Sequence, residues 1–366
     1  MSSRLATILP YLISDFQAGF VKERLIEDNI LLPQELIHYI DQPGYGGNVL
    51  LKLDMSKAFD MLSWKFLQTI LTKFGFDANW IQRVMSCISN SWFSVLVNGE
   101  AAGFFKSSKG IRQGDPLSPG LFILAEDYLL RSLQKLMQEH PAMSYNTKCN
   151  LNIPCLAYAD DCLIFYNGSK SSLSKISKLL DHYQSVSGQV LNTAKSTCIM
   201  SSKLTPDRNQ QLHLFMEPQI PFLWWQNCSH PNVLSTLPLY YLQVIKMPEQ
   251  IKTKIGKIFN KFLWGDHPWC SWEKLCAPFE EGGLNFRSLD GLYSASMMKA
   301  WYRLREGKSL WSKFMHIKYC RIRHPSVAKV REPQSRLLKN LTKFRDLIDK
   351  HIVWRIGKGG CDFWLM

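Results

Sequence analysis

The sequence predicts an α+β protein with its strands in the first 200 residues and a helical, basic remainder. Three observations lead there. NVLLKLD (48–54) is a short apolar run closed by an acid, the pattern of a buried strand. LAYADDCLIF (156–165) is two apolar runs bent at Asp160-Asp161, a strand–turn–strand. SLSKISKLLDHYQSV (172–186) repeats apolar residues three and four apart, the period of a helix with one buried face.

The other elements follow in order. LIEDNILLPQELIHYI (25–40) has helical spacing, with Pro33 positioned to bend or split it. PGYGG (43–47) breaks the chain before the first strand. WKFLQTILTKFGF (64–76) and NWIQRVMSCI (79–88) read as helices. WFSVLVNGEAAGFF (92–105) reads as a hairpin, because Asn98-Gly99 suits the positive φ of a two-residue turn. KGIRQGDPLSPG (109–120) is a loop opening onto the helix LFILAEDYLLRSLQKLM (121–137), and a short strand is expected near QVLN (189–192). PFLWWQNCSHPN (221–232) has no clear period. PEQIKTKIGKIFNKFLWG (248–265) has a strong one. Ile251, Ile255, Ile258, Phe259, Phe262 and Leu263 share a face, Lys252, Lys254, Lys257 and Lys261 fall largely off it, and Gly265 is a stop.

The formal charge is +14, but residues 1–200 hold 18 Lys/Arg against 17 Asp/Glu, whereas 201–366 hold 26 against 13. A polyanionic partner is expected for the second half. The ten cysteines include no C-x-x-C pair, so neither a zinc site nor a disulfide framework is indicated, and reduced thiols are expected. No apolar run reaches the roughly 18 residues of a membrane span, so no membrane partner is expected. LATILPYLI near the start has one Arg before it and no A-x-A site after it, which argues against a secretory leader.

Two adjacent aspartates between apolar runs need a reason, because desolvation and mutual repulsion both oppose their ionisation. An exposed turn is one, since Asp is common there. Metal binding is another. If the strand ending at Asp54 lies beside the Asp160-Asp161 bend, three carboxylates meet at one sheet edge, a donor set that suits hard divalent cations. Two such ions can activate an attacking hydroxyl and hold a leaving phosphate oxygen.

The surrounding residues favour the second reading. LKLDMSKAFD (51–60), GIRQGDPLSPGLF (110–122), LAYADD (156–161) and SGQVLNTAKS (187–196) resemble, in this order, four successive palm motifs of LINE-type (non-LTR) retrotransposon reverse transcriptases. QAGFVKERLIEDNILL (17–32) resembles a fingers motif of the same family. LPLYYLQVIKMPEQIKTKIGKIFNKFLWG (237–265) and WEKLCAPFEEGGLNFRSL (272–289) resemble the thumb and downstream region of its plant-type members.

The resemblance implies a right-hand polymerase: an antiparallel palm sheet flanked by helices, partial fingers, and a helical thumb and C-terminal region. It implies RNA-directed DNA synthesis on an RNA template from a DNA primer and dNTPs, with two Mg²⁺ ions and Mn²⁺ as a substitute. Asp54 and Asp160 would be the principal metal ligands and Asp161 a weaker third. Phe59 would exclude a 2′-hydroxyl beneath the incoming sugar. Gln113 and Gly114 would pack against the nascent base pair, where a residue without Cβ allows close approach. Tyr158 and Ala159 would lie near the primer terminus, and Lys195 would protonate departing pyrophosphate. Arg112 would meet phosphate or template, Arg24 would do so from the fingers, and Lys252, Lys254, Lys257 and Lys261 would face backbone phosphates from the thumb.

The likeness also has gaps. A fingers segment and an apurinic-type endonuclease domain, both expected upstream, are missing from the sequence. MEPQIPFLWWQNCSHPN (216–232) stands where the thumb should begin, as after an internal deletion. VWRIGKGGCDFW (353–364) resembles the approach to a zinc-binding module that does not follow. The expected domains are therefore 1–205, fingers and palm; 206–265, thumb-like; and 266–366, basic and helical. An inactive remnant that only binds nucleic acid is the alternative, and the plant-like thumb argues against an intron-encoded maturase. Nuclear residence is implied by the family alone, and oligomeric state is not legible.

Overall fold

The computed structural model describes residues 1–43, 46–147, 149, 151–201, 242–265, 267, 269–321, 323–328 and 334–352. The expected deletion at 205–235 and the zinc-module approach at 353–364 lie outside the described residues. The chain divides into two compact units, Met1–Ile220 and Pro221–Met366.

The first unit is built on a four-stranded antiparallel sheet. Its strands are β1 (Asn48–Leu53), β4 (Cys155–Tyr158), β5 (Asp161–Asn167) and β6 (Thr197–Met200), in the order β4-β5-β1-β6. The hairpin β2 (Trp92–Val97) and β3 (Glu100–Lys106) forms a sheet of its own, turning at Asn98 and Gly99 with φ of 50° and 88°. The strand expected near 189–192 is only an isolated bridge between Met55 and Leu191; regular pairing begins at Thr197. The backbone of 190–192 is instead spent on the loop after β1, with Ser56 N–H donating to Val190 and Asn192 N–H to Asp54.

Among the described residues of this unit the α-helices are α1 (Ser2–Leu12), α2 (Ile26–Ile37), α3 (Ala58–Met61), α4 (Trp64–Lys73), α5 (Ala78–Ser89), α6 (Ser118–Glu139) and α7 (Lys170–Ser187). Helix α2 continues through a buried Pro33. Ser63, Asp77 and Ser169 cap α4, α5 and α7 through their side chains, satisfying N–H groups that have no helical partner. Helix α6 packs against α1, α4, α7 and β4. Its Leu121, Ile123, Leu124, Leu129, Leu130 and Leu133 are fully buried. Truncating one of these leucines to alanine costs about 2–5 kcal/mol.

In the second unit α8 (Glu249–Trp264) precedes α9 (Trp272–Leu275) and a cluster of α10 (Leu289–Glu306), α11 (Leu310–Met315), α12 (Arg336–Thr342) and α13 (Arg345–His351). Trp301, Trp311, Phe314 and Leu341 are buried among these. The face of α8 differs from the sequence expectation. Ile255 is buried, but Ile258 and Phe262 are 49% and 73% exposed. Trp272 packs beside Gly256, and Phe259 meets that ring at 4.8 Å between centroids. The packed stripe therefore runs through 252, 255, 256 and 259. No helix among the described residues is long and apolar enough to cross a membrane.

Candidate active site

β1 and β5 pair antiparallel from Asn48 opposite Asn167 to Leu53 opposite Cys162. That register, continued one step beyond the paired residues, sets Asp54 against Asp161. β4 and β5 pair from Cys155–Ile164 to Tyr158–Asp161, leaving Ala159 and Asp160 as a two-residue turn. Asp54, more than 100 residues before Asp160 and Asp161 in sequence, thus shares with them one end of adjacent strands.

The loops around this end are bonded to one another. Asp54 N–H donates to Ser196 Oγ at 3.0 Å, and Asn192 N–H returns to the Asp54 carbonyl at 2.9 Å. Gln189 Nε2 donates to the Ala58 carbonyl, and Ser63 N–H to Ser187. Gly110 N–H donates to Leu62, Ile111 N–H to Phe59, and Trp64 Nε1 to the Gly110 carbonyl. Gly110 needs its glycine: at φ +84°, a Cβ would sit 2.5 Å from the Asp60 carbonyl oxygen. Three of the four palm-like motifs are therefore bonded together through the segment Asp54–Ser63, and the fourth, at 156–161, adjoins them through the pairing of β5 with β1.

Individual residues fall as follows. Phe59 is half-buried, its ring stacked on Phe122 at 4.9 Å. Gln113 and Gly114 are exposed on the loop before α6. Gly114 has open space around it and φ +84°, so backbone conformation, rather than close approach by protein atoms, calls for glycine there. Tyr158 is 38% exposed, Ala159 is buried at φ 55°, and Lys195 is exposed on a turn closed by Asn192. Arg112 pairs with Asp115 at 2.9 Å.

Two expectations are corrected. Arg24 does not present its guanidinium to template. It is partly buried and donates to the carbonyls of Pro10, Ile13, Ser14 and Gln17, holding the end of α1 and the turn after it. Burial lowers its pKa, against the charges of Asp15 and Asp127. Lys252 is not a phosphate contact either. Its side chain is 10% exposed, and its ammonium binds Glu249 at 2.5 Å and Asp290 at 2.7 Å. Lys254, Lys257 and Lys261 are exposed.

Three residues not singled out in the sequence belong to this region. Lys52, two before Asp54 and on the same strand face, pairs with Asp161 at 3.2 Å. Glu126 sits in the apolar run of α6 at 1% exposure, its carboxyl pushed well above the usual range by burial and, next, by the charge of Asp160. An acid within LFILAEDYLL is the signal that could have marked it. Gln17, fully buried, lies in the fingers-like motif. Cys155 and Cys162 are also buried there, and burial raises both thiols, keeping them neutral.

The donor chemistry at this edge fits a hard divalent cation: carboxylates only, on neighbouring strands, in a local excess of negative charge. As the side chains stand, no group of three or more His, Cys, Asp or Glu among the described residues is gathered to hold an ion. Asp161 pairs with the Lys52 ammonium instead.

Residues 1–231 match the family described as reverse transcriptase (RNA-dependent DNA polymerase). The transposon TX1 uncharacterized 149 kDa protein of Xenopus laevis is 24% identical over 70% of this chain. A retrovirus-related Pol polyprotein from the type-1 retrotransposable element R2 of Popillia japonica is 28% identical over 48%. The chain spans 19% and 28% of these relatives' own lengths. A solved telomerase of Candida albicans, in complex with a fragment of telomeric RNA, aligns over 86% of this chain and 48% of that one, with 12% identity and a TM-score of 0.42. That likeness adds nothing to the family match. The expected likeness to non-LTR retrotransposon enzymes agrees with the TX1 and R2 relatives, and the chain belongs to the reverse transcriptase family.

Proposed function

We propose that this chain carries the polymerase centre of a non-LTR retrotransposon, extending a DNA primer on an RNA template by transfer of nucleotides from dNTPs. One observation carries the reading: the β1–β5 register puts Asp54 opposite Asp161, with Asp160 at the adjoining turn.

The family works with divalent metal ions. Two Mg²⁺ ions, replaceable by Mn²⁺, would be held by Asp54 and Asp160, with Asp161 as a third donor once it leaves Lys52. When bound, they supply Lewis acidity at the α-phosphate and favour ionisation of the primer 3′-hydroxyl. The chain's own groups do the rest. Phe59, braced on Phe122, offers bulk against a 2′-hydroxyl. Gln113 and Gly114 offer an exposed surface to the new base pair, and Tyr158 one to the primer end. Lys195 offers a proton to pyrophosphate. Lys254, Lys257 and Lys261 provide positive charge for the nucleic-acid backbone, giving salt-dependent affinity with little sequence preference. Nuclear residence belongs to the same reading, and fractionation of cells expressing the chain would test it.

Primer extension on an RNA template tests the activity. Incorporation by the parent chain and its loss in Asp160→Asn, by about a thousandfold or more, are expected. Near-parental extension by Asp160→Asn would refute the assignment. The Lys52–Asp161 pair favours a second reading, a chain that binds nucleic acid without catalysis. Incorporation by the parent above background rejects it.

A further inference from the structure

The turn that carries Asp160 is strained. Ala159 has φ 55°, a region that side chains with a Cβ adopt at a cost and that glycine ordinarily supplies. Something must hold it, and the segment Phe16–Gly19 is placed to do so. Ala157 N–H donates to the Phe16 carbonyl at 2.8 Å, and Ala18 N–H to the Ala157 carbonyl at 2.9 Å, so the segment runs parallel to the outer edge of β4. Between these bonds the Gln17 side chain reaches the turn. Its Oε1 accepts from Ala159 N–H at 3.0 Å and from Gly19 N–H at 2.7 Å, while its Nε2 donates to the Ala159 carbonyl at 3.1 Å and to Glu126. Both backbone groups of the strained residue are thus tied to one fully buried amide.

Gly19 supports the same arrangement independently. A Cβ at Gly19 would overlap the Ala159 amide nitrogen, so this approach requires glycine. The spacing of Gln17 and Gly19 is explained if both serve Ala159.

We propose that Gln17 is a positioning residue for the metal site: it grips Ala159 in its left-handed conformation and thereby sets where Asp160 and Asp161 project. The proposal rests on the metal-binding reading above. Gln17 itself has no direct bond to either aspartate in the structure; its action runs through one backbone residue. An amide suits the role, since it donates to one backbone group while accepting from the other.

Calorimetric titration of the full chain with MnCl₂ tests it. Asp160→Asn separates the two layers. Parental affinity in that variant sinks the metal reading, and the clamp with it. With that control weakened as expected, Gln17→Ala should lose about tenfold or more in Mn²⁺ affinity, the usual effect of removing a partner behind a ligand. Leu67→Ala, a cavity at a fully buried position of α4, should lower Tm yet bind Mn²⁺ as the parent does. Parental affinity in Gln17→Ala overturns the proposal, and so does an equal loss in Leu67→Ala, because the effect would then follow general stability. Amide exchange on the unaltered chain gives a second test that needs no variant to fold. The Ala159 amide should exchange about a hundredfold or more slowly than a free turn amide. A rate near the free value overturns the clamp.

Discussion

The Asp54–Asp160 edge and helix α8 both bring charge towards solvent, and they do so by opposite means. At the edge, position comes from the backbone. Strand register sets Asp54 against Asp161, and the loops behind them are joined by Ser196, Gln189, Trp64 and the close approach at Gly110. On α8, position comes from helical period, and the packed stripe runs through 252, 255, 256 and 259. Lys252 turns inward to two carboxylates while Lys254 and Lys257 stay exposed. Groups that must sit to within a fraction of an ångström need the first kind of construction; groups that attract a phosphate backbone need only the second.

The comparison can be broken first at the edge. Asp54→Asn should reduce primer extension by about a thousandfold or more while leaving Tm nearly unchanged, because Asp54 uses its backbone rather than its carboxylate to bind Ser196 and Asn192. A large fall in Tm would show that its carboxylate has a structural role. Gly110→Ala comes next. Overlap with Asp60 and a left-handed φ should cost roughly 2 kcal/mol or more, measured by denaturant unfolding. An unchanged midpoint would mean that the loop yields freely.

A third prediction concerns pH. Burial and the Asp160 charge raise the Glu126 carboxyl, so the folded chain keeps a proton that the unfolded chain releases near its ordinary value of about 4.3. That contribution to stability is complete below the unfolded value and is lost as pH rises towards the folded one. In metal-free buffer, Glu126→Gln should therefore gain in Tm relative to the parent between pH 5 and pH 8. A difference constant with pH would contradict the buried, neutral acid.

The smallest effects belong to α8. Lys254→Ala and Lys257→Ala should each lower the salt dependence of RNA binding by about one unit of slope, with little change in Tm. Lys252→Ala should do the reverse, lowering Tm and leaving the slope alone. Equal slopes for all three variants would remove the distinction between paired and exposed lysines.

The same contrast explains what could be read in advance. Strands ending at Asp54 and bending at Asp160-Asp161 were visible because apolar runs and a turn are local patterns. The Asn98-Gly99 hairpin was visible for the same reason. Residue type alone does not show the partners of Arg24 and Lys252: four carbonyls near the end of α1 for one, Asp290 for the other. Gln17 carries no local signal because its partners, Ala159 and Glu126, lie more than 100 residues away. The packed face of α8 is not legible from period alone, because Trp272, the ring it packs against, lies outside the helix.

The most direct test of the metal site is localised cleavage. With Fe²⁺ in place of Mg²⁺, and ascorbate and peroxide present, hydroxyl radicals cut the backbone nearest the bound ion. Cuts confined to the neighbourhoods of residue 54 and residues 159–161, and absent from Asp160→Asn, are the predicted result. Cuts elsewhere, or an unchanged pattern in Asp160→Asn, would contradict it.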